Sequence, residues 1–507
     1  MRKIILGTSF VLSFCLVIFS CTKDENPDPS EQQGPKISSF SPLSGPVGTN
    51  VFITGKNFDP KAANNVVKIG ETKATVTSAN ATEIFITVPE GATTGKISIS
   101  VNGNTDTGGT FTVTQQESTA LSLDKETLEL RTLEEGIIAA TVTGAGAEDQ
   151  ITWGSDDENV AIVDAEGRVT ATGAGTTTIT ATVDNASASA ILTVNPGIFV
   201  GGYTEKNNGE YGVATVWQNG FSQEISQISS YDTYIAIEGP NLYATHVEYG
   251  EGTRPIKVYK NNTLFETIGS PEENNKAPKG IQVIDGQIHI CGLEVTNGTQ
   301  YAKYWVNGEE TLLSEEGQPA SAQGAYVKDG HIYIAGRVYT NTHNALYWVD
   351  GNTYDLTENV SSNTYDIFVD DNNDVYVAGH MGSEATIWKN TDVLYDLGDG
   401  INSTATKSVV VHDNKVYATG VDWTSNMSKF WIDGQLVHEW QAGGGAGYSD
   451  ISVHEDKVYV AGCKYDQNMN RHNATVWIYD LNGQLLEELD YSAVSTDSSY
   501  ATSIIVK

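Results

Sequence analysis

After residue 195 one short pattern recurs seven times, and it limits what the chain can fold into more than any other feature. A hydrophobic burst stops at a small residue: "IFVGG" (198–202), "LYATH" (242–246), "IHICG" (288–292), "IYIAG" (332–336), "VYVAG" (375–379), "VYATG" (416–420) and "VYVAG" (458–462). An aromatic run follows each burst, centred on Trp217, Tyr259, Trp305, Trp348, Trp388, Trp431 and Trp477. A tight turn such as Asn-Gly or Asp-Gly comes next, then a short last run such as "TYDLTE". Before most bursts lies another apolar run, as in "GIQVIDG" or "SVVVHDN". Runs this short, rich in β-branched and aromatic residues and bounded by turn dipeptides, read as strands. Four strands in each unit of about 43 residues form a propeller blade.

The ends of this region are complementary. The burst at 198–202 lacks a preceding strand, and the final "ATSIIVK" lacks a following burst. Joined, they would complete one blade and remove the free strand edges that invite aggregation. This resembles the overlap closure of seven-bladed propellers. The expected fold is all-β throughout: two Ig-like β-sandwiches, then a seven-bladed β-propeller over 196–507.

If the strands of a blade run A to D from the axis outward, the A–B and C–D turns share one end of the ring. They are short here ("KDGH", "HDNK", "VDGN"). The B–C and D–A loops at the other end are long and irregular ("RVYTNTHNA", "HVEYGEGTRP", "QAGGGAGYS"). Long loops on a rigid scaffold are where binding concentrates. The candidate contacts there are the aromatic residues Tyr203, Tyr301, Tyr339, Trp423, Tyr448 and Tyr465, with His246, Arg254, Arg337, His343, His380 and Arg471 among them. Aromatic faces stack on sugar C–H faces, and Arg offers paired donors to carboxylate or sulfate. The repeated Tyr333 and Trp348 are expected to pack between blades.

Two spacer-like units precede the ring. In residues 36–115, Pro42, Gly45, Pro46, Gly48, Thr49, Val51, Ile53, Gly55, Asn57 and Phe58 carry a pattern that resembles the IPT/TIG domain, an Ig-like sandwich. In residues 116–195, Trp153, Ser155, Asp156, Val160, Ala161, Val163, Gly167, Val169, Ala171, Gly173, Gly175, Thr177 and Ile179 resemble the bacterial Ig-like group 2 domain. Such a sandwich wants one large aromatic between its sheets, and Trp153 suits that place.

The N-terminus reads as a targeting segment over residues 1–20. Arg2 and Lys3 precede an apolar run that ends at Ser20 and Cys21. "VIFSC" resembles the bacterial lipobox, which implies lipidation of Cys21. A polar, Pro-containing tether spans 21–35. Lys23, Asp24 and Glu25 resemble the surface-export signal of Bacteroidetes lipoproteins, so the expected location is the outer membrane, lipid-anchored and exposed on the cell surface. The lipid would be the sole membrane contact.

Formal net charge is -35, from 64 acidic and 29 basic residues, which argues against nucleic acid as a partner. Cys291 and Cys463 are expected to be buried, reduced thiols. Glycoside hydrolysis calls for two opposed carboxylates. Glu205, Glu210, Glu248, Glu294, Asp422 and Asp466 lie in suitable loops, but nothing in the sequence pairs them. There is no GxSxG and no HExxH. "DDNND" (370–374) lacks the glycine and final Glu of a calcium loop, and "GGGAG" (443–447) lacks the Lys-Ser/Thr of a phosphate loop. No cofactor or metal is expected. The architecture resembles Bacteroidetes surface lipoproteins that capture polysaccharide, which implies a non-catalytic glycan-binding protein. A protein-binding or adhesion module using the same face, and a propeller lyase or hydrolase, remain as alternatives.

Overall fold

The computed structural model describes residues 33–115, 118–144, 150–206, 211–226, 228–249, 254–269, 275–443, 449–491 and 497–507. Cys21, the targeting segment and Tyr448 lie outside these residues. The chain falls into two compact units that divide after Ser118. Among the described residues no helix is long and apolar enough to cross a membrane.

In the first unit, strand Asn50–Lys56 pairs with Lys36–Ser41 and with Glu83–Thr87. Strand Asn65–Ile69 pairs with Thr72–Ala79 and Gly95–Val101. Alternate residues point inward, so Val51, Ile53, Ile84 and Ile86 meet Val67, Ile97, Ile99 and Phe111 in one core. The result is a sandwich.

The second unit opens with another small sandwich. Strand Gly175–Val183 pairs with Ala186–Asn195 and Thr152–Ser155 on one face. Strand Arg168–Ala171 pairs with Ala161–Val163 and Glu135–Ile137 on the other. Trp153 packs half-buried against this core.

Seven four-stranded antiparallel sheets follow. Numbering them by burst, the innermost strands A of blades 2 to 7 are Ser230–Glu238, Asn275–Ile284, Ala320–Lys328, Ser362–Val369, Thr404–His412 and Ser449–His454. Blade 1 takes its strand A from the end of the chain: Ser499–Val506 pairs antiparallel with strand B, Ile198–Lys206. Tyr500, Ile504 and Val506 of this strand are buried. Blade 4 typifies the rest, with strand B His331–Tyr339, strand C His343–Val349 and strand D Asn352–Asp355. Its A–B turn, Asp329–Gly330, has φ of 51° and 79° at the two residues, the left-handed pair that a two-residue hairpin of matching twist requires. The acidic "DDNND" is the corresponding turn of blade 5, closed by Asp370 Oδ1 accepting from the backbone of Asn372 and Asp374.

Blades pack through the repeated aromatics. Trp348 of blade 4 lies in one buried cluster with Cys291 and Tyr304 of blade 3, and Tyr333 of blade 4 lies in another with Val377 and Trp388 of blade 5. Cys291 and Cys463 are buried free thiols, and burial pushes both up in pKa.

The strand ends explain why most bursts stop at glycine. Each of six A strands carries a bulge at the same level, where one extra residue opposes its B strand. The bulge pushes the A-strand carbonyl toward the burst's last residue. A Cβ on Gly292, Gly379 or Gly420 would sit 2.1 Å from a carbonyl oxygen of that strand.

The second sandwich meets the ring at the short-turn end of blade 1. Thr132 Oγ1 donates to the backbone carbonyl of Lys507, Gln218 Nε2 donates to the carbonyl of Leu133 (3.3 Å), and Asn219 Nδ2 donates to Glu134 Oε1 (3.0 Å). Leu133 packs against the buried cluster of Phe199, Val216 and Ile235.

Candidate functional site

The seven A strands converge on a central cavity of about 460 Å³. What faces it follows from the bulges. In five of the six bulges the extra residue is outside the ladder and lines the axis: Lys279, Gln323, Tyr365, Lys407 and Thr502 in blades 3, 4, 5, 6 and 1. The next residue is small or acidic: Gly280, Gly324, Asp366, Ser408 and Ser503, with Asp450 at the equivalent place in blade 7. Crowding at the axis accounts for this. A Cβ on Gly324 would lie 2.9 Å from Asp366 Cα of the neighbouring blade.

The two acids at this level tie blades together. Asp366 accepts from the backbone N–H of Val409 in blade 6 (3.0 Å), and Asp450 accepts from that of Ile504 in blade 1 (2.9 Å). Ser408 Oγ lies 2.8 Å from both Asp366 Oδ2 and Asp450 Oδ1. A hydroxyl has one proton to give, so both contacts are complete only when one carboxyl is protonated and donates in turn. Burial first, and Asp450 second, push Asp366 up to about 7. Burial likewise raises Asp450.

One step toward the long loops, blades 4 to 6 form a sector of aromatic and basic groups. Lys407 Nζ lies over the Tyr365 ring, 3.4 Å from its centroid, and 5.2 Å from that of Trp423. His380 meets Tyr365 at 6.2 Å and Trp423, edge to face, at 6.1 Å. Tyr339 and His343 pair at 5.2 Å. Arg337 is half-buried, and its charge helps to hold His343 and His380 neutral, although burial is the larger cause for both. Burial, then the like charge of Lys279, lowers Lys407 to about 7. Five residues expected from the sequence, Arg337, Tyr339, His343, His380 and Trp423, therefore share one sector. Tyr365 and Lys407 complete it and were missed, because they sit on strand A rather than in a loop.

A second sector spans blades 7, 1 and 2. Tyr465 packs on His472, His472 on Tyr500, Tyr500 on Tyr203, Tyr203 on Tyr231 and Tyr231 on Tyr249, with successive centroids 4.6–5.5 Å apart. The Arg254 guanidinium caps the series 4.4 Å from the Tyr249 ring. Tyr203, expected as a surface contact, is buried here and stacks parallel to Tyr500. Lys279 reaches Asp232 at 3.3 Å beside this sector, with Tyr234 and then Asp232 holding its pKa up. Arg471 opens strand C of blade 7, opposite Asp466.

Two expected contacts belong elsewhere. His246 takes the glycine's place opposite the blade 2 bulge, so it is part of strand B; it is fully buried and stacks on Tyr259 at 5.2 Å. Tyr301 lies on strand C of blade 3 opposite Glu294, and among the described residues no aromatic ring joins it to either sector. Five of the loop carboxylates are engaged in structure, Glu205 by a hydrogen bond with Tyr500. Glu248 faces Lys257 and His246, Glu294 faces Lys276 and Lys303, Asp422 holds Lys429 and two backbone N–H groups, and Asp466 caps its own turn. Glu210 lies outside the described residues. Among the described residues no three His, Cys, Asp or Glu side chains converge as a metal site.

Comparison with known proteins agrees with the two sandwiches. Residues 35–116 match the IPT/TIG domain and residues 134–194 the bacterial Ig-like domain (group 2). No curated protein matches the chain. Among solved structures, an auxiliary nutrient binding protein from Bacteroides thetaiotaomicron is 13% identical, with 90% of this chain and 97% of that one covered and a TM-score of 0.27. A protein of unknown function from the same organism is 15% identical, covering 69% of this chain and 96% of that one, at a TM-score of 0.20. A nidogen/laminin complex is 11% identical over 61% of this chain and 98% of that one, at a TM-score of 0.33.

Proposed function

We propose that the chain is a non-catalytic, lipid-anchored protein of the outer cell surface that captures polysaccharide at the long-loop end of its propeller. The observation that carries this reading is the blade 4–6 sector at the mouth of the axial cavity. There Trp423 is 37% exposed and is backed by His380, which in turn meets Tyr365. An exposed aromatic face with polar groups around it suits a sugar ring and its hydroxyls. The second sandwich joins the ring at the opposite, short-turn end, which leaves the mouth free of it. Cys21 after the apolar leader supports the anchor, and the two sandwiches serve as spacers.

The engagement of Glu248, Glu294, Asp422 and Asp466 in ion pairs and turns supports binding over hydrolysis at those four positions. Native gels containing soluble polysaccharides test the reading on the full chain in detergent. Retarded migration with no released oligosaccharide is the expected result. Release of oligosaccharide would make the protein an enzyme. No retardation on any glycan, with capture of a protein partner, would make it an adhesion module.

A further inference from the structure

Two part-buried cations, Lys407 and Arg337, stand at the mouth. With 64 acidic and 29 basic residues, a lysine or arginine has carboxylates to choose from. Lys276, Lys279, Lys303, Lys389 and Lys429 each hold one. Lys407 and Arg337 do not: among the described residues neither has a carboxylate within ion-pair distance. The nearby acids are engaged elsewhere, Asp366 and Asp450 in the blade ties and Asp422 with Lys429. Lys407 instead rests on the faces of Tyr365 and Trp423, at the end of a strand bulge that aims it at the axis. A half-buried cation without a counter-ion costs free energy that a bound anion returns. Arg337 flanks the same Tyr365 and offers the planar pair of donors that fits a carboxylate or sulfate.

We infer that the ligand is an acidic polysaccharide, with one carboxylate or sulfate seated between Lys407 and Arg337 while a neighbouring sugar ring covers Trp423. This rests on the glycan-binding reading above and narrows its substrate class. An acidic ligand must approach a protein of net charge -35, so long-range charge opposes the encounter. The local cations then supply selectivity among glycans.

The test uses the full chain in detergent and matched pairs of probes: polygalacturonate against its carboxyl-reduced product, and dextran sulfate against dextran. The acidic member of at least one pair should bind roughly tenfold or more tightly than its neutral counterpart. That preference should shrink between about 0.05 M and about 0.5 M salt. Which pair responds separates carboxylate from sulfate. Lys407→Gln should abolish the preference and Lys407→Arg should keep it, with thermal melts confirming that both variants fold. Should Lys407→Gln not fold, Arg337→Gln reads the same preference. Equal retardation by acidic and neutral members overturns the acidic class and leaves glycan binding standing. Retardation by none of the four overturns glycan binding itself. A preference that survives both Lys407→Gln and Arg337→Gln overturns the assignment of the site.

Discussion

The two aromatic sectors at the mouth draw on the same end of the same repeat, yet they use their side chains differently. Across blades 7, 1 and 2 the rings are spent on each other: Tyr203 and Tyr500 are 5% and 6% exposed and stack in parallel. Across blades 4 to 6 the rings stand apart around Lys407, and Trp423 keeps a face to solvent. The first sector seals the junction where the chain's last strand meets its first burst. The second has no such junction to hold. Sequence position alone therefore does not make a loop aromatic a ligand contact; what its neighbours have already satisfied decides.

The largest expected effect breaks the first sector at its seam. A chain ending at Asp497 loses strand A of blade 1, including buried Tyr500, Ile504 and Val506. At about 1.5–3 kcal/mol for each such side chain, the loss approaches the whole net stability of a domain. Circular dichroism melts should show no cooperative propeller transition, and an unchanged melt would refute the role given to this strand. Next in size, Tyr203→Ala should cost about 3 kcal/mol in chemical denaturation by opening a cavity in the stack.

A titration probes the floor beneath the second sector. Asp366 is raised from 3.8 to about 7 in the fold. A raised carboxyl keeps its proton in the folded chain at a pH where the unfolded chain has lost it. Its stabilising contribution is therefore full below about 4 and is lost as pH climbs through about 7. Asp366 keeps part of its surface exposed in the cavity, so the swing should be only about 1–2 kcal/mol. Asp366→Asn should flatten it, and an unaltered pH profile would count against the shared proton at Ser408.

Trp423→Ala is expected to cost binding rather than stability. It should weaken glycan affinity about tenfold, or about 1.4 kcal/mol, with a melting temperature close to that of the parent chain. The contrast with Tyr203→Ala is the point: if Trp423→Ala unfolds the ring and Tyr203→Ala spares it, the two sectors have been assigned the wrong way round. Smallest of all, Tyr339→Ala removes an exposed ring that pairs with His343 at the rim, and stability should move by no more than about 0.5 kcal/mol.

Much of the scaffold was legible because it obeys short periods. Alternation marked the strands, Asp-Gly and Asn-Gly marked the turns, and the repeat length set the blades. Loop length separates the two ends of the ring, and Arg337, His380 and Trp423 lie together at the long-loop end. The axis was not legible, because a bulge breaks alternation by one residue without any signature strong enough to notice in a single strand. Only with the register in hand do "KGI", "QGA", "YDI", "KSV", "SDI" and "TSI" align as an axial residue, a small or acidic one, then an apolar one. His246 failed for the related reason that it stands where other blades have glycine, and the sequence showed no cause for the exchange. Tyr203 failed because its burial depends on Tyr500, a partner almost 300 residues away that only the strand pairing brings beside it.

The bulge separates two kinds of inheritance within each blade. Ladder residues are constrained by partners on both sides, and changing one disturbs a sheet. The residue at the bulge has no partner across the ladder, so Lys279, Gln323, Tyr365, Lys407 and Thr502 differ in size, charge and polarity while the strands around them keep the same form. The axis is in effect a writable register: its chemistry can be edited one position at a time, and a ring with this framework can change its ligand without relearning how to fold.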